Sequence, residues 1–137
     1  MNIIILDTNA CIDYLNGREE IQKVLTEQED LVHITSITAY EVKIGLERTK
    51  RKISEKRYNE LYKIWLKFIS SMEVFALGYK EAEKAAEIYD ILESKGNLID
   101  DNDILIAGIM LSNGITKIIT RNVTHFEKIE TIEIIDY

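Results

Sequence analysis

Proline is absent from the chain, and so are low-complexity tracts, internal repeats and recognisable linkers. With 137 residues at 46% hydrophobic content, the sequence reads as one domain over 1–137 with a sizeable core. Cysteine occurs once, as Cys11, which excludes an internal disulfide; between Ala10 and Ile12 in a helical pattern, it suits a small buried hydrophobe. No stretch approaches the roughly 18 uninterrupted apolar residues of a membrane span. The first residues lack a basic region ahead of an apolar core and cleavage site, so the expectation is a cytoplasmic protein without membrane contact. A basic excess is missing too. The 24 acidic and 17 basic residues leave a net charge of -7, which argues against a general nucleic-acid coat protein held by phosphate neutralisation. Any nucleic-acid contact has to be local or metal-mediated. The six glycines are scattered and no Gly-x-Ser-x-Gly elbow occurs, which disfavours phosphate-cradling loops and hydrolase triads.

What the chain does contain is an alternation of short β-branched runs with longer helical patterns. Strands are predicted over residues 2–6, Leu31 to Thr35, Glu73 to Leu77, Lys117 to Thr120 and Glu133 to Ile135. The first and fourth are nearly all apolar, as strands buried on both faces are. No two-residue hairpin turn joins any pair and most connections can hold a helix, so the sheet is expected to be parallel with right-handed crossovers. Tyr58, Leu61, Tyr62, Trp65, Phe68, Ile69 and Met72 recur at helical spacing, as do Ala82, Ala85, Ala86, Tyr89 and Leu92. Ile104 to Leu111 is apolar on every side and ends at Asn113-Gly114, a plausible C-cap, which marks a central helix buried against the sheet. The expected fold is a three-layer α/β domain: a parallel sheet of about five strands flanked by helices.

Ligands in open α/β sheets bind outside the carboxyl ends of the strands, and that is where the polar residues gather. Asp7 follows the first strand. Ser36 and Thr38 follow the second, with Glu41 in the ensuing helix; Thr120 and Asn122 close the fourth; Asp103 opens the buried helix that leads into it. Three carboxylates about 5 Å apart repel by roughly 3 kcal/mol per pair at an effective dielectric near 20, so they need a cation or take up protons. Mg²⁺ or Mn²⁺ suits an all-oxygen set, whereas zinc calls for histidine or cysteine, and His33, His125 and Cys11 are far apart.

Each acid also has a purely structural reading. Asp7 can cap the helix that begins near Ala10. Thr38 and Glu41 make a capping box. Asp100, Asp101, Asn102 and Asp103 can all serve a helix N-terminus, and Asp101 takes the place of Asp103 if that helix starts earlier. Only convergence of all three acids favours a site. His33 and His125 read as packing or solvent-facing residues.

Four motifs together resemble one family: Leu6-Asp7-Thr8-Asn9, Ser36 with Glu41, Asp103-Ile104-Leu105-Ile106-Ala107, and Thr120-Arg121-Asn122 followed by His125-Phe126. In this order and over nearly the whole chain, they look like the PIN-domain ribonucleases, most closely the VapC-type toxins of toxin-antitoxin pairs. The resemblance implies a Mg²⁺- or Mn²⁺-dependent endoribonuclease, an RNA substrate, homodimerisation and inhibition by a small antitoxin lying across a helical groove. It assigns catalytic and metal-binding roles to Asp7, Glu41 and Asp103. Asn122 stands where the family often carries a fourth acid. Thr8, Asn9, Ser36, Thr120 and Asn122 are candidates to hold carboxylates and water in place through hydrogen bonds.

Lys43, Arg48, Lys50, Arg51 and Lys52 form a local basic cluster continued by Lys56 and Arg57; with Arg121 they are candidate RNA contacts, although most charge runs are solvated helix ends. The aromatics Tyr58, Tyr62, Trp65 and Phe68 can be core or interface. Two rival readings remain at this stage. One is a Mg²⁺-dependent phosphatase with Asp7 as nucleophile, against which Asn9 breaks the usual Asp-x-Asp spacing. The other is a catalytically weak PIN-like binding module.

Overall fold

In the computed structural model, which describes residues 2–137, β1 (Ile3–Leu6) leads into α1 (Thr8–Leu15) and α2 (Glu19–Glu27). β2 (Leu31–Thr35) is followed by α3 (Ser36–Lys50) and α4 (Glu55–Ile69). β3 (Val74–Phe75) precedes α5 (Tyr79–Ser94) and α6 (Asp101–Ser112), and β4 (Lys117–Ile119) passes through α7 (Val123–Phe126) to β5 (Glu133–Ile135). The five strands form one sheet in the order β3-β2-β1-β4-β5, with every pair parallel. The expected fold class is borne out.

Side chains alternate across β1 because successive strand residues face opposite sides. Ile4 and Leu6 pack with Ile34, Val42, Tyr58 and Trp65 in the layer of α1 to α4. Ile5 points the other way, into a core of Ile88, Leu92, Ile106, Met110 and Phe126 supplied by α5 to α7. β4 repeats the division, Ile118 joining the second core and Ile119 the first. A one-residue slip of either strand exchanges these two sets, so the sequence fixes the register tightly.

Two helices differ from their sequence patterns. On α5 the buried stripe is Glu81, Ala85, Ile88 and Leu92, while Ala82, Ala86 and Tyr89 stay exposed. The reason lies in α6, where a Cβ on Gly108 would sit 2.6 Å from Ala85 Cβ and 2.8 Å from Ala85 Cα. The two backbones approach so closely that the line through Ala85 must face inward. α6 itself begins at Asp101, before the apolar stretch, and closes on Asn113 as its C-cap with Gly114 at φ 71°. β3 is shorter than its pattern, because the Leu77 amide turns away to the Ser36 hydroxyl at 3.1 Å. On α4, Tyr58 and Trp65 are buried and Tyr62 and Phe68 pack partly against the same core. Among the described residues, no helix is long and apolar enough to cross a membrane.

Candidate functional site

β1 is the centre of the sheet, and β2 and β4 flank it, so the chain leaves all three strands on the same edge. Asp7 is the first residue past β1. It is 3% exposed, and its two oxygens have separate tasks. Oδ1 accepts the Ala10 amide at 2.9 Å and caps α1, while Oδ2 accepts the hydroxyl of Thr120 at the end of β4. Capping and membership of the site are therefore not alternatives for this residue.

Glu41 lies in the second turn of α3, because the helix starts at Ser36 with the Thr35 hydroxyl accepting the Thr38 amide. That placement removes the capping-box role. Its Oε1 accepts the Thr8 hydroxyl at 2.6 Å, and Oε2 accepts the Asn102 amide at 3.2 Å, which joins the N-termini of α1, α3 and α6. Thr8 Oγ1 also stands 3.1 Å from Thr38 Oγ1.

Asp103, in the first turn of α6, presents Oδ2 to Asn122 Nδ2 at 2.9 Å and to His125 Nδ1 at 2.7 Å. His125 Nδ1 also lies 2.8 Å from Asn122 Nδ2, so the three side chains form one cluster. Asp101, by contrast, is exposed and faces a shallow hollow with Ala82, Ala86 and Tyr89.

Electrostatics tie the acids together. Burial pushes the Asp7 carboxyl up to about 6, against the hydrogen bonds from Thr120 and Ala10, and the charges of Asp103 and Asp13 add to the rise. Burial likewise raises Asp103 above the ordinary carboxylate range; His125 counters this, and the charges of Asp100 and Glu41 reinforce it. Ionising these groups together is costly without a cation. Among the described residues, no three acids, histidines or thiols form a ready-made cage for an ion. An incomplete, all-oxygen donor set fits Mg²⁺ or Mn²⁺, which keep coordination positions for water and substrate phosphate.

A family model described as PIN domain matches residues 4–131. The chain belongs to the PIN-domain family. It is 30% identical over 133 residues to the tRNA(fMet)-specific endonuclease VapC of Salmonella typhimurium, covering 96% of each chain. It is 26% identical to Ribonuclease VapC2 of Rickettsia felis, covering 95% of this chain and 94% of that one. Among solved structures, DNA-bound VapBC from Salmonella typhimurium superposes with a TM-score of 0.82 at 31% identity, over 99% of this chain and 98% of that one.

Of the polar residues expected around the acids in this PIN domain, Thr8, Thr120 and Asn122 touch them. Ser36 serves the Leu77 amide instead, and Asn9 is exposed. His33 is structural, its Nδ1 accepting the Glu73 amide at 2.9 Å. His125 is not merely packing, as its contact with Asp103 shows; it lies in α7, whose N-cap is Asn122. Asn102 escaped notice because its neighbours Asp101 and Asp103 also suit a helix start. Asp13 left a clearer mark, a lone acid between Ile12 and Tyr14 in an apolar helix pattern. It is 3% exposed and is met by the Tyr137 hydroxyl at 2.7 Å and by Arg121 Nε at 3.1 Å.

The basic cluster lies elsewhere. Lys43 is held by Glu47 at 2.9 Å and by the Tyr58 hydroxyl at 3.2 Å, with its ammonium 4.6 Å from the Tyr62 ring centre. Lys50 leans over the Tyr58 ring at 5.2 Å. Arg48, Lys50, Arg51 and Lys52 are exposed around the far end of α3, about 14 Å from Glu41 along the helix axis at 1.5 Å per residue.

Proposed function

We propose that this PIN domain is a Mg²⁺- or Mn²⁺-dependent endoribonuclease and the toxin of a toxin-antitoxin pair, with its activity carried by one domain over 1–137 in the cytoplasm. The observation that supports the reading is that Glu41 accepts from Thr8, next to Asp7, and from Asn102, next to Asp103, so the three segments that carry the acids are tied together. The relatives named as a ribonuclease and a tRNA(fMet)-specific endonuclease support the reaction class and an RNA substrate.

Asp7 and Asp103 would hold the ion, which when bound would supply Lewis acidity for activating water and neutralising charge on the scissile phosphate. Glu41 is fixed by Thr8 and Asn102 and is partly exposed, which suits it to orient the attacking water and accept its proton. Thr120 keeps Asp7 aimed, and Asn122 with His125 does the same for Asp103. A phosphatase with Asp7 as nucleophile fits poorly, since Asn9 breaks the Asp-x-Asp spacing that such a site uses.

An antitoxin is the expected partner, and the groove whose apolar side is Tyr14, Leu25, Val32, Phe68 and Met72 and whose polar rim includes Gln22 and Asp30 suits an amphipathic helix. A homodimer is the expected assembly, and a monomeric mass in solution counts against it. The direct test is purified protein with a tRNA pool, in Mn²⁺ or in EDTA, beside Asp7→Asn and Asp103→Asn. Cleavage only with metal and lost in both variants is the expected result; phosphate release from small esters, or no cleavage under any condition, refutes it.

A further inference from the structure

Three consecutive residues at the exit of β4 each engage a different acid. Thr120 donates to Asp7, Arg121 pairs with Asp13, and Asn122 donates to Asp103. The two outer contacts belong to the site already described; the middle one does not. We propose that Arg121 is the residue of this edge that grips an RNA phosphate, and that buried Asp13 and the Tyr137 hydroxyl are positioning residues that set its guanidinium. The inference rests on the endoribonuclease reading and names the contact by which the same site holds its substrate.

Asp13 projects from α1 two turns beyond Asp7, and it is too deeply buried to serve as a solvated charge. Its Oδ2 accepts the Tyr137 hydroxyl at 2.7 Å and lies 3.1 Å from Arg121 Nε; its Oδ1 lies 3.6 Å from Arg18 Nε. Tyr137 in turn packs against the core of the α1 to α4 layer, so its hydroxyl is a fixed donor. Because Arg121 engages Asp13 through Nε, its two terminal nitrogens, with four N–H donors in a planar fork, remain for a ligand. The side chain is 47% exposed. Such a fork matches two oxygens of a phosphodiester, which a lysine cannot match as a point charge.

Charge points the same way. The single carboxylate of Asp13 faces two guanidiniums, Arg18 and Arg121, so it cannot neutralise both. The larger basic cluster at the end of α3 is about 14 Å along that helix from Glu41. That exceeds the Debye length of about 8 Å at physiological salt, so it exerts little pull at the acids.

The test measures cleavage of a fluorescent tRNA pool in Mn²⁺, and binding of the same RNA in EDTA across a salt series, with thermal midpoints as a folding control. Arg121→Ala is expected to raise KM about tenfold with little change in kcat, and to lower the slope of log affinity against log salt by about one. Arg121→Lys restores the slope but not KM. Tyr137→Phe, which keeps every charge, raises KM about threefold in the wild-type background and adds nothing to Arg121→Ala. Wild-type KM and salt slope in Arg121→Ala overturn the phosphate grip, and a Tyr137→Phe effect that persists in Arg121→Ala overturns the positioning. If the wild-type protein does not cleave RNA with metal, the endoribonuclease reading falls, while the salt series in EDTA still decides whether Arg121 holds RNA.

Discussion

The hydroxyl of Thr120 donates to Oδ2 of Asp7 across 113 positions of sequence, and its oxygen accepts the Asn122 amide at 2.8 Å. A single side chain therefore aligns the most buried acid of the site with the loop that carries Asn122. Thr120→Val keeps the shape and removes both bonds. The expected result is a loss of about 1–3 kcal/mol in urea denaturation, from the buried partners left unpaired, and a fall of about 10–100-fold in metal-dependent cleavage.

Asp7 trades stability for function. Its carboxyl titrates near 6 in the folded protein, above the ordinary value of 3.8, so the folded state binds more protons than the unfolded one between those values. In the absence of metal, the contribution of Asp7 to stability is greatest below about pH 4, falls as pH rises towards about 6, and is level above it; Asp103 acts in the same direction. At pH 7.5 the penalty from Asp7 is of the order of 3 kcal/mol. Asp7→Asn, whose side-chain oxygen still caps Ala10, is expected to raise the metal-free unfolding midpoint while abolishing cleavage. An unchanged or lower midpoint at pH 7.5 contradicts the uncompensated charge.

The same shift makes protons compete with metal. Mn²⁺ binding releases protons, and its affinity is expected to weaken steeply as pH falls below about 6, as seen by titration calorimetry in buffers of different ionisation enthalpy.

His125 Nδ1 lies 2.7 Å from Asp103 Oδ2 and helps to hold that carboxyl in place. His125→Ala is expected to weaken Mn²⁺ affinity by about 10–100-fold with a small change in fold stability, since the ring is one-third exposed. Manganese-induced shifts of the thermal midpoint measure this, and an unaltered affinity removes His125 from the site.

Gly108→Ala tests the contact that sets the rotation of α5. The added methyl meets Ala85 backbone at 2.8 Å, where nothing flexible can yield, so a loss of at least about 1–3 kcal/mol is expected in urea denaturation.

The layers and the parallel sense of the sheet were legible because their signals are local and redundant, whereas the strand order was not read from the sequence. Ile3 to Leu6 and Lys117 to Ile119 read as doubly buried strands, and the helical spacing between them dictated parallel crossovers. The rotation of α5 was not legible, since Ala82, Ala85, Ala86 and Tyr89 fit a helical stripe on two different faces and the choice is made by a glycine on another helix. Within the site, the carboxylates stood out by following strands, whereas their partners did not. Asn102, His125 and Asp13 act through side-chain contacts 61, 22 and 124 residues apart, to Glu41, Asp103 and Tyr137, and spacing within one element carries no trace of such pairs. Ser36 and Asn9 illustrate the converse, polar residues at the right edge whose side chains are spent on a neighbouring loop or left in solvent.

Crystals grown with Mn²⁺ and measured at the manganese absorption edge give the sharpest test of the gathered acids. An anomalous peak about 2.1 Å from carboxylate oxygens of both Asp7 and Asp103, absent in Asp7→Asn, is the expected result. A peak elsewhere on the surface, or none at millimolar manganese, contradicts a metal site built from these residues.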